Sequence, residues 1–191
     1  LYADFIYESG QSKEFKDSID LKDGWYNTIA NSLETAVNTI STTEYTELYI
    51  NYALKYARFA TQYNTFATLR TRTELYEKIQ LLYDDIFNRL QNNNTPLMAY
   101  ALRSYAMLCY FRENIDLSIE KLEQAQNICR SKINNTENAS ANLDYLSEYI
   151  LATGELASIY CDHVDGMRRD INRSLNEYND VVKHYCYLVE D

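Results

Sequence analysis

The two histidines of the chain each stand two residues from a cysteine, as Cys161-x-His163 and His184-x-Cys186, and thiolates with imidazoles are the donors of tetrahedral zinc. On helices, residues two apart point about 160° from each other, and the two pairs fall at opposite ends of an antiparallel hairpin, roughly 25 Å apart at 1.5 Å per residue. No zinc site is expected. Asp84-Asp85, inside Tyr83 to Asn88, pairs carboxylates as a magnesium-diphosphate site does, but Asn88 stands where a third acid would be needed and no second motif is legible. The expected reading is a solvated helix face. Two histidines assemble no Ser or Cys triad by inspection, and no glycine-rich loop is present to cradle a phosphate. No catalytic residue, metal or cofactor is expected, and an all-α enzyme ranks third among the functional readings. Arg103 is different in kind: it is the only charge between Pro96 and Phe111, and a lone cation on an apolar helix must be paired or must face a groove.

The charge balance narrows the partners. With 18 Lys and Arg against 28 Asp and Glu the chain carries a formal −10, and no basic cluster offers the footprint that phosphate neutralisation demands. Direct nucleic-acid binding is therefore not expected. A protein or peptide, basic if the charge decides it, is the more natural partner. The runner-up is an acidic helical antagonist that covers the basic nucleic-acid-binding surface of another protein. No run of about 18 apolar residues marks a membrane span. Cys109, Cys129, Cys161 and Cys186 fall on four different predicted helices without a CxxC, so they read as small hydrophobes in a reducing, cytoplasmic or otherwise intracellular compartment. Asn134, Asn138 and Asn172 open N-x-S/T triplets, which leaves secretion open. The chain opens at Leu1 without a Met, as a piece trimmed or excised from something longer does. Oligomeric state is not legible.

The elements that position these residues are helices. Four Gly and one Pro in 191 residues are too few for the tight turns of a sandwich or barrel. Trp25, Ile29, Leu33, Val37 and Ile40 predict a helix near 24–40. Ser41 and Glu44 form a capping box before a second helix, with Tyr45, Tyr49, Tyr52, Tyr56, Phe59 and Tyr63 beside Ala53, Ala57 and Ala60. That wide apolar face predicts a helix sandwiched between neighbours. Thr71 and Glu74 make another capping box ahead of Leu75, Ile79, Leu82, Ile86 and Leu90. Pro96 suits the first turn of the next helix, Leu97 to Phe111, which should be the most buried. Ile115, Ile119, Leu122, Ala125 and Cys129 mark the fifth. Leu143, Leu146, Ile150, Ala157 and Tyr160, interrupted by Gly154, mark the sixth, and Ile171, Leu175, Tyr178, Val182 and Tyr185 the last.

A recurrent element runs through them: an apolar residue, alanine, two residues, then Tyr or Cys. It occurs as Phe59-Ala60 with Tyr63, Tyr105-Ala106 with Cys109, and Leu156-Ala157 with Tyr160. Each is followed by a triplet on the next helix, namely Leu75, Ile79 and Leu82, then Ser118, Leu122 and Ala125, then Ile171, Leu175 and Tyr178. A small residue on one helix admits the ridge of the next, so the chain reads as a row of helix pairs. In the middle unit, Ala99 to Arg130, Leu102, Tyr105-Ala106 and Cys109 precede Ser118, Leu122 and Ala125 at offsets of 12, 16 and 19 residues from the small residue. This unit resembles a tetratricopeptide repeat, with Pro96 where the preceding repeat's closing proline belongs. The flanking units are longer than the family's 34 residues.

The expected fold is thus all-α: antiparallel helix-pair repeats in a short, tetratricopeptide-like, right-handed α-solenoid of about seven helices, forming one domain over 1–191. Residues 1–40 supply an incomplete first unit, and 41–95, 96–135 and 139–191 are helix pairs. The resemblance implies a protein- or peptide-binding module, a scaffold, adaptor or regulatory domain, in which the first helix of each pair lines a concave groove. Carried over by position, the groove-facing residues are Tyr100, Arg103, Met107 and Tyr110 in the middle unit, with Thr61, Asn64, Ser158 and Asp162 from its neighbours. Ala57 and Thr61 stand where a clamp for a terminal carboxylate would be expected, so a receptor for chaperone tails is not implied.

Overall fold

Thr95 and Pro96 show how the sequence writes its helices: the Thr95 Oγ1 accepts the Met98 N–H at 3.2 Å, and Pro96 occupies the first turn, where no donor is missed. Seven helices are found among the described residues, which are 22–40, 46–63, 69–91, 93–133, 139–162 and 171–189 of a computed structural model, and none of these residues lies in a strand. The helices are α1 (Lys22–Ile40), α2 (Thr46–Tyr63), α3 (Leu69–Leu90), α4 (Pro96–Phe111), α5 (Ile115–Ile133), α6 (Ala139–Asp162) and α7 (Ile171–Val189). The fold is all-α and built of antiparallel helix pairs. No described helix is long and apolar enough to cross a membrane. The chain divides into two compact units, Leu1–Arg89 and Leu90–Asp191.

In the first unit α2 is the middle layer. Its tyrosine and alanine positions, Tyr49, Tyr52, Ala53, Tyr56, Ala57, Phe59 and Ala60, are all buried, and α1 contributes Ile29, Leu33 and Val37. Tyr49 donates to Asp85 at 2.6 Å, while the Lys78 ammonium lies 5.8 Å from the Tyr56 ring, so α3 runs antiparallel to α2. Glu34 of α1 accepts from Tyr56 and is ion-paired with Lys78, which ties all three helices at one point. The face of α3 differs from expectation: Tyr76 and Tyr83 are buried where Leu75 and Leu82 were expected, and Leu81 is exposed. Two aromatic rings bury more apolar area than two leucines, and the helix turns to seat them. It also begins at Leu69, so Thr71 lies within the helix and does not cap it. The Ser41 to Glu44 capping box lies outside the described residues.

In the second unit, α4 and α5 close on a turn of three residues. Glu113, at φ 61°, takes the left-handed conformation, Asn114 N–H returns to the Cys109 carbonyl at 2.9 Å, and Asn114 Oδ1 accepts the Leu117 N–H at 3.4 Å. One serine clasp recurs. Ser118 Oγ donates to the Ala106 carbonyl at 2.8 Å, and Ser174 Oγ to the Ala157 carbonyl at 2.8 Å, so the small residue of each first helix exposes its backbone to the second. Gln126 donates to Thr153 at 3.0 Å, which sets α6 against α5.

This second clasp corrects the register expected for α7. Ser174 faces the core, whereas Leu175 is 57% and Val182 61% exposed, with Tyr178 also exposed. The inner side of α7 is polar, with Glu177 bonded to Gln126 and Asp180 to the Tyr149 hydroxyl. Burying satisfied polar groups sets the helix against its apolar stripe. On α6, Leu143 is likewise exposed, and Tyr145, Tyr149, Ala152 and Leu156 carry the packing with Ala157 and Tyr160. Cys109 and Cys129 are buried free thiols, but Cys161 is exposed and is no core residue.

Candidate binding groove

Within the second unit, α4 and α6 lie side by side and parallel. The Tyr145 hydroxyl donates to the Asn94 carbonyl at 2.8 Å at one end, and Arg103 bridges to Glu148 and Glu155 further along. The guanidinium donates through Nε to Glu148 Oε2 at 2.8 Å and through Nη1 to Glu155 Oε1 at 2.8 Å, with the Tyr100 ring 5.4 Å from its carbon. Burial works against the charge, but the bond to Glu148 and the field of Glu155 more than offset it, and the Arg103 pKa is raised further above its ordinary value. At 4% exposure Arg103 is closed off from any partner. The expectation that it is a groove-facing cation is corrected: an arginine this deep needs carboxylates at once, and the chain supplies two.

Above this tie opens a cavity of about 500 Å³, within the range of ligand sites. Met107 and Tyr110 line it from α4, Ile150, Leu151, Gly154, Glu155, Ser158 and Ile159 from α6, and Val181 from α7. A Cβ added to Gly154 would meet no atom within 4 Å, so the helix backbone itself borders open space there. Ser158 Oγ is 3.1 Å from the Tyr178 hydroxyl, which pairs this lining hydroxyl with one from α7.

Of the groove-facing residues read from the sequence, Met107, Tyr110 and Ser158 meet at this cavity, and Tyr100 sits against Arg103. Thr61 does not face a groove: it is 2% exposed and its Oγ1 bonds back to the Ala57 carbonyl at 2.7 Å. Asn64 and the Asp162 side chain lie outside the described residues. Sequence reasoning missed Glu155, Leu151 and Gly154, although a glycine inside an otherwise regular helix is itself a signal of close approach or open space.

The remaining candidate sites have other roles. Asp85 is half-buried, accepting from Tyr49 and, at 2.8 Å, from Arg89; burial opposes its charge, but these two bonds outweigh it and hold the carboxyl below its usual range. Asp84, exposed, accepts from Gln80 instead, so the two carboxylates diverge. His163 and the side chains of His184 and Cys186 lie outside the described residues, and no group of three metal-binding side chains is found among those described. No family model, no curated protein and no solved structure matches the chain.

Proposed function

We propose that the chain is a protein- or peptide-binding helical-repeat module of the tetratricopeptide kind, which takes a partner segment into the groove between α4 and α6. One observation carries this reading. Met107, Tyr110 and Ser158, assigned to a groove from their repeat positions on two different helices, line a single cavity. The parallel course of α4 and α6, each followed by an antiparallel partner held through a serine clasp, supports a repeat architecture in which first helices form one wall. The lining is apolar with a few polar groups, as recognition grooves are, and Met107 adds a side chain that adapts to different occupants. A right-handed course of the pairs and work in a reducing compartment complete the proposal.

Gly154→Phe tests it. A Cβ there meets no atom within 4 Å, so the ring is expected to be accommodated and to fill the groove. Proteins captured from the native source by the wild-type chain should be absent from captures with the variant, at equal melting temperature. Identical captures overturn the groove.

A further inference from the structure

The apolar stripe that α7 turns to solvent lies where the fold elsewhere seats a helix. Aligning the two clasping serines, Ser118 with Ser174, matches Glu123 and Gln126 of α5 to Asn179 and Val182 of α7, and Ile119 to Leu175. On α5 this face carries α6: Glu123 accepts from the Tyr160 hydroxyl and Gln126 donates to Thr153. On α7 the same face presents Leu175 and Val182 to solvent, with Tyr178 beside them.

The charges around the stripe choose what covers it. Glu177 and Asp180 turn inward to Gln126 and Tyr149, and the exposed residues between Asn172 and Lys183 include no acid. Apart from the stripe they are the bases Arg173 and Lys183 and the amides Asn172, Asn176 and Asn179. Two copies of a chain of formal −10 repel each other, but here they meet without opposed carboxylates. An asparagine is both donor and acceptor, so it can bond its own twin. The stripe is also symmetric along the helix. Leu175 and Val182 flank Tyr178 and Asn179 at equal spacing, so a twofold axis between those two residues sets Leu175 of each copy against Val182 of the other. Helices related in this way run antiparallel, as α6 does on α5.

We propose that this face is a twofold interface between two copies of the chain, in which α7 of one copy takes on α7 of the other the place that α6 takes on α5. The dimer does not rest on the groove reading, since neither Leu175 nor Val182 lines the cavity. A contact of two helices falls below the standard interface size, so association is weak, with a dissociation constant on the order of 10–100 µM.

Sedimentation equilibrium of the full chain, from about 1 to about 500 µM, brackets that constant. The weight-average mass should climb from 22.4 kDa towards twice that value. Leu175→Glu and Val182→Glu each bring a carboxylate from both copies to the contact, and each should weaken association at least about tenfold. Both side chains are exposed, and unfolding curves check that the variants fold. Leu81→Glu adds the same charge at a more exposed leucine on α3 and should leave association unchanged. A monomer throughout the range overturns the proposal. So does a dimer that both α7 variants leave intact, or an equal loss in Leu81→Glu, which would trace association to net charge and not to this face.

Discussion

The two units place the same repeat positions in opposite environments. Counting from the small residue of each first helix, Ala57 and Thr61 of α2 correspond to Gly154 and Ser158 of α6. Ala57 and Thr61 are fully buried, whereas Gly154 and Ser158 border the cavity. Yet the polar framework is shared. In each unit the middle helix carries two tyrosines whose hydroxyls reach acids on both flanking helices: Tyr49 with Asp85 and Tyr56 with Glu34 in one, Tyr149 with Asp180 and Tyr160 with Glu123 in the other. A cation lies over each ring, Arg89 at 4.4 Å from Tyr49 and Arg173 at 4.4 Å from Tyr160 being the closest. The two units thus share a polar framework, while the surface at these positions is closed in one and open in the other. Many of the 19 tyrosines serve the scaffold, with an apolar body in the core and a polar tip at its edge.

The sharpest break of this comparison is at the ion pairs. Arg103→Ala should cost about 3–5 kcal/mol in denaturant unfolding, because two part-buried glutamates lose their cation. Arg89→Ala, at a half-exposed pair in the first unit, should cost less, about 1 kcal/mol. Equal losses would mean that the two units are held alike. At the equivalent repeat positions, Ala57→Leu should overpack and cost about 1–3 kcal/mol. Gly154→Ala should raise stability by up to about 1 kcal/mol, since a helical glycine is replaced and nothing is struck. A loss at both positions would remove the distinction between closed and open faces.

Alkaline titration compares the units through Tyr49 and Tyr160. Burial, aided by Asp85, pushes Tyr49 up to about 12, and burial pushes Tyr160 to about 12 as well, with Arg173 opposing and Glu123 adding. A raised folded-state pKa stabilises the protein fully below the ordinary phenol value near 10 and is lost as pH climbs towards 12. Unfolding midpoints should fall across that window, with a late fraction in the phenolate absorbance. The smallest effect is on reactivity. Cys161 should be labelled at once by a thiol reagent at neutral pH, while Cys109 and Cys129, raised by burial to about 11 and about 12, should react only on unfolding. Mass mapping that finds Cys161 protected would restore the reading of these cysteines as core residues.

Much of this was legible where apolar area decides the packing. The stripes Ile29, Leu33 and Val37 on α1 and Tyr49 to Ala60 on α2 are the observed core faces, and the charge-poor α4 is buried along Met98 to Cys109 save Tyr100 and Met107. Reading failed where polar contacts decide. Leu175, Tyr178 and Val182 form a regular stripe, yet Ser174, Glu177 and Asp180 face inward because Ala157, Gln126 and Tyr149 offer them partners from other helices. A hydrophobic period cannot register such partners, which lie 17 to 51 residues away. Met107, Tyr110 and Ser158, expected in a groove by repeat position, line the cavity, but nothing in the sequence pointed to Glu155, since nothing local marks a carboxylate that a distant arginine fixes. Arg103 was singled out correctly as an anomaly, and its resolution inside the chain required the position of α6.

The turn between α4 and α5 also bears on how the chain folds. Capped from both sides by Glu113 and Asn114, it brings Ala106 and Ser118 together across only 12 residues, a short loop with little entropy to lose. The Arg103 bridges span 45 and 52 residues and must wait for α6. Folding is therefore expected to start at this hairpin and spread outward, as local contacts precede distant ones. Ser118→Ala should then slow folding, while Arg103→Ala should chiefly quicken unfolding, leaving the two halves of the denaturant chevron displaced by different substitutions.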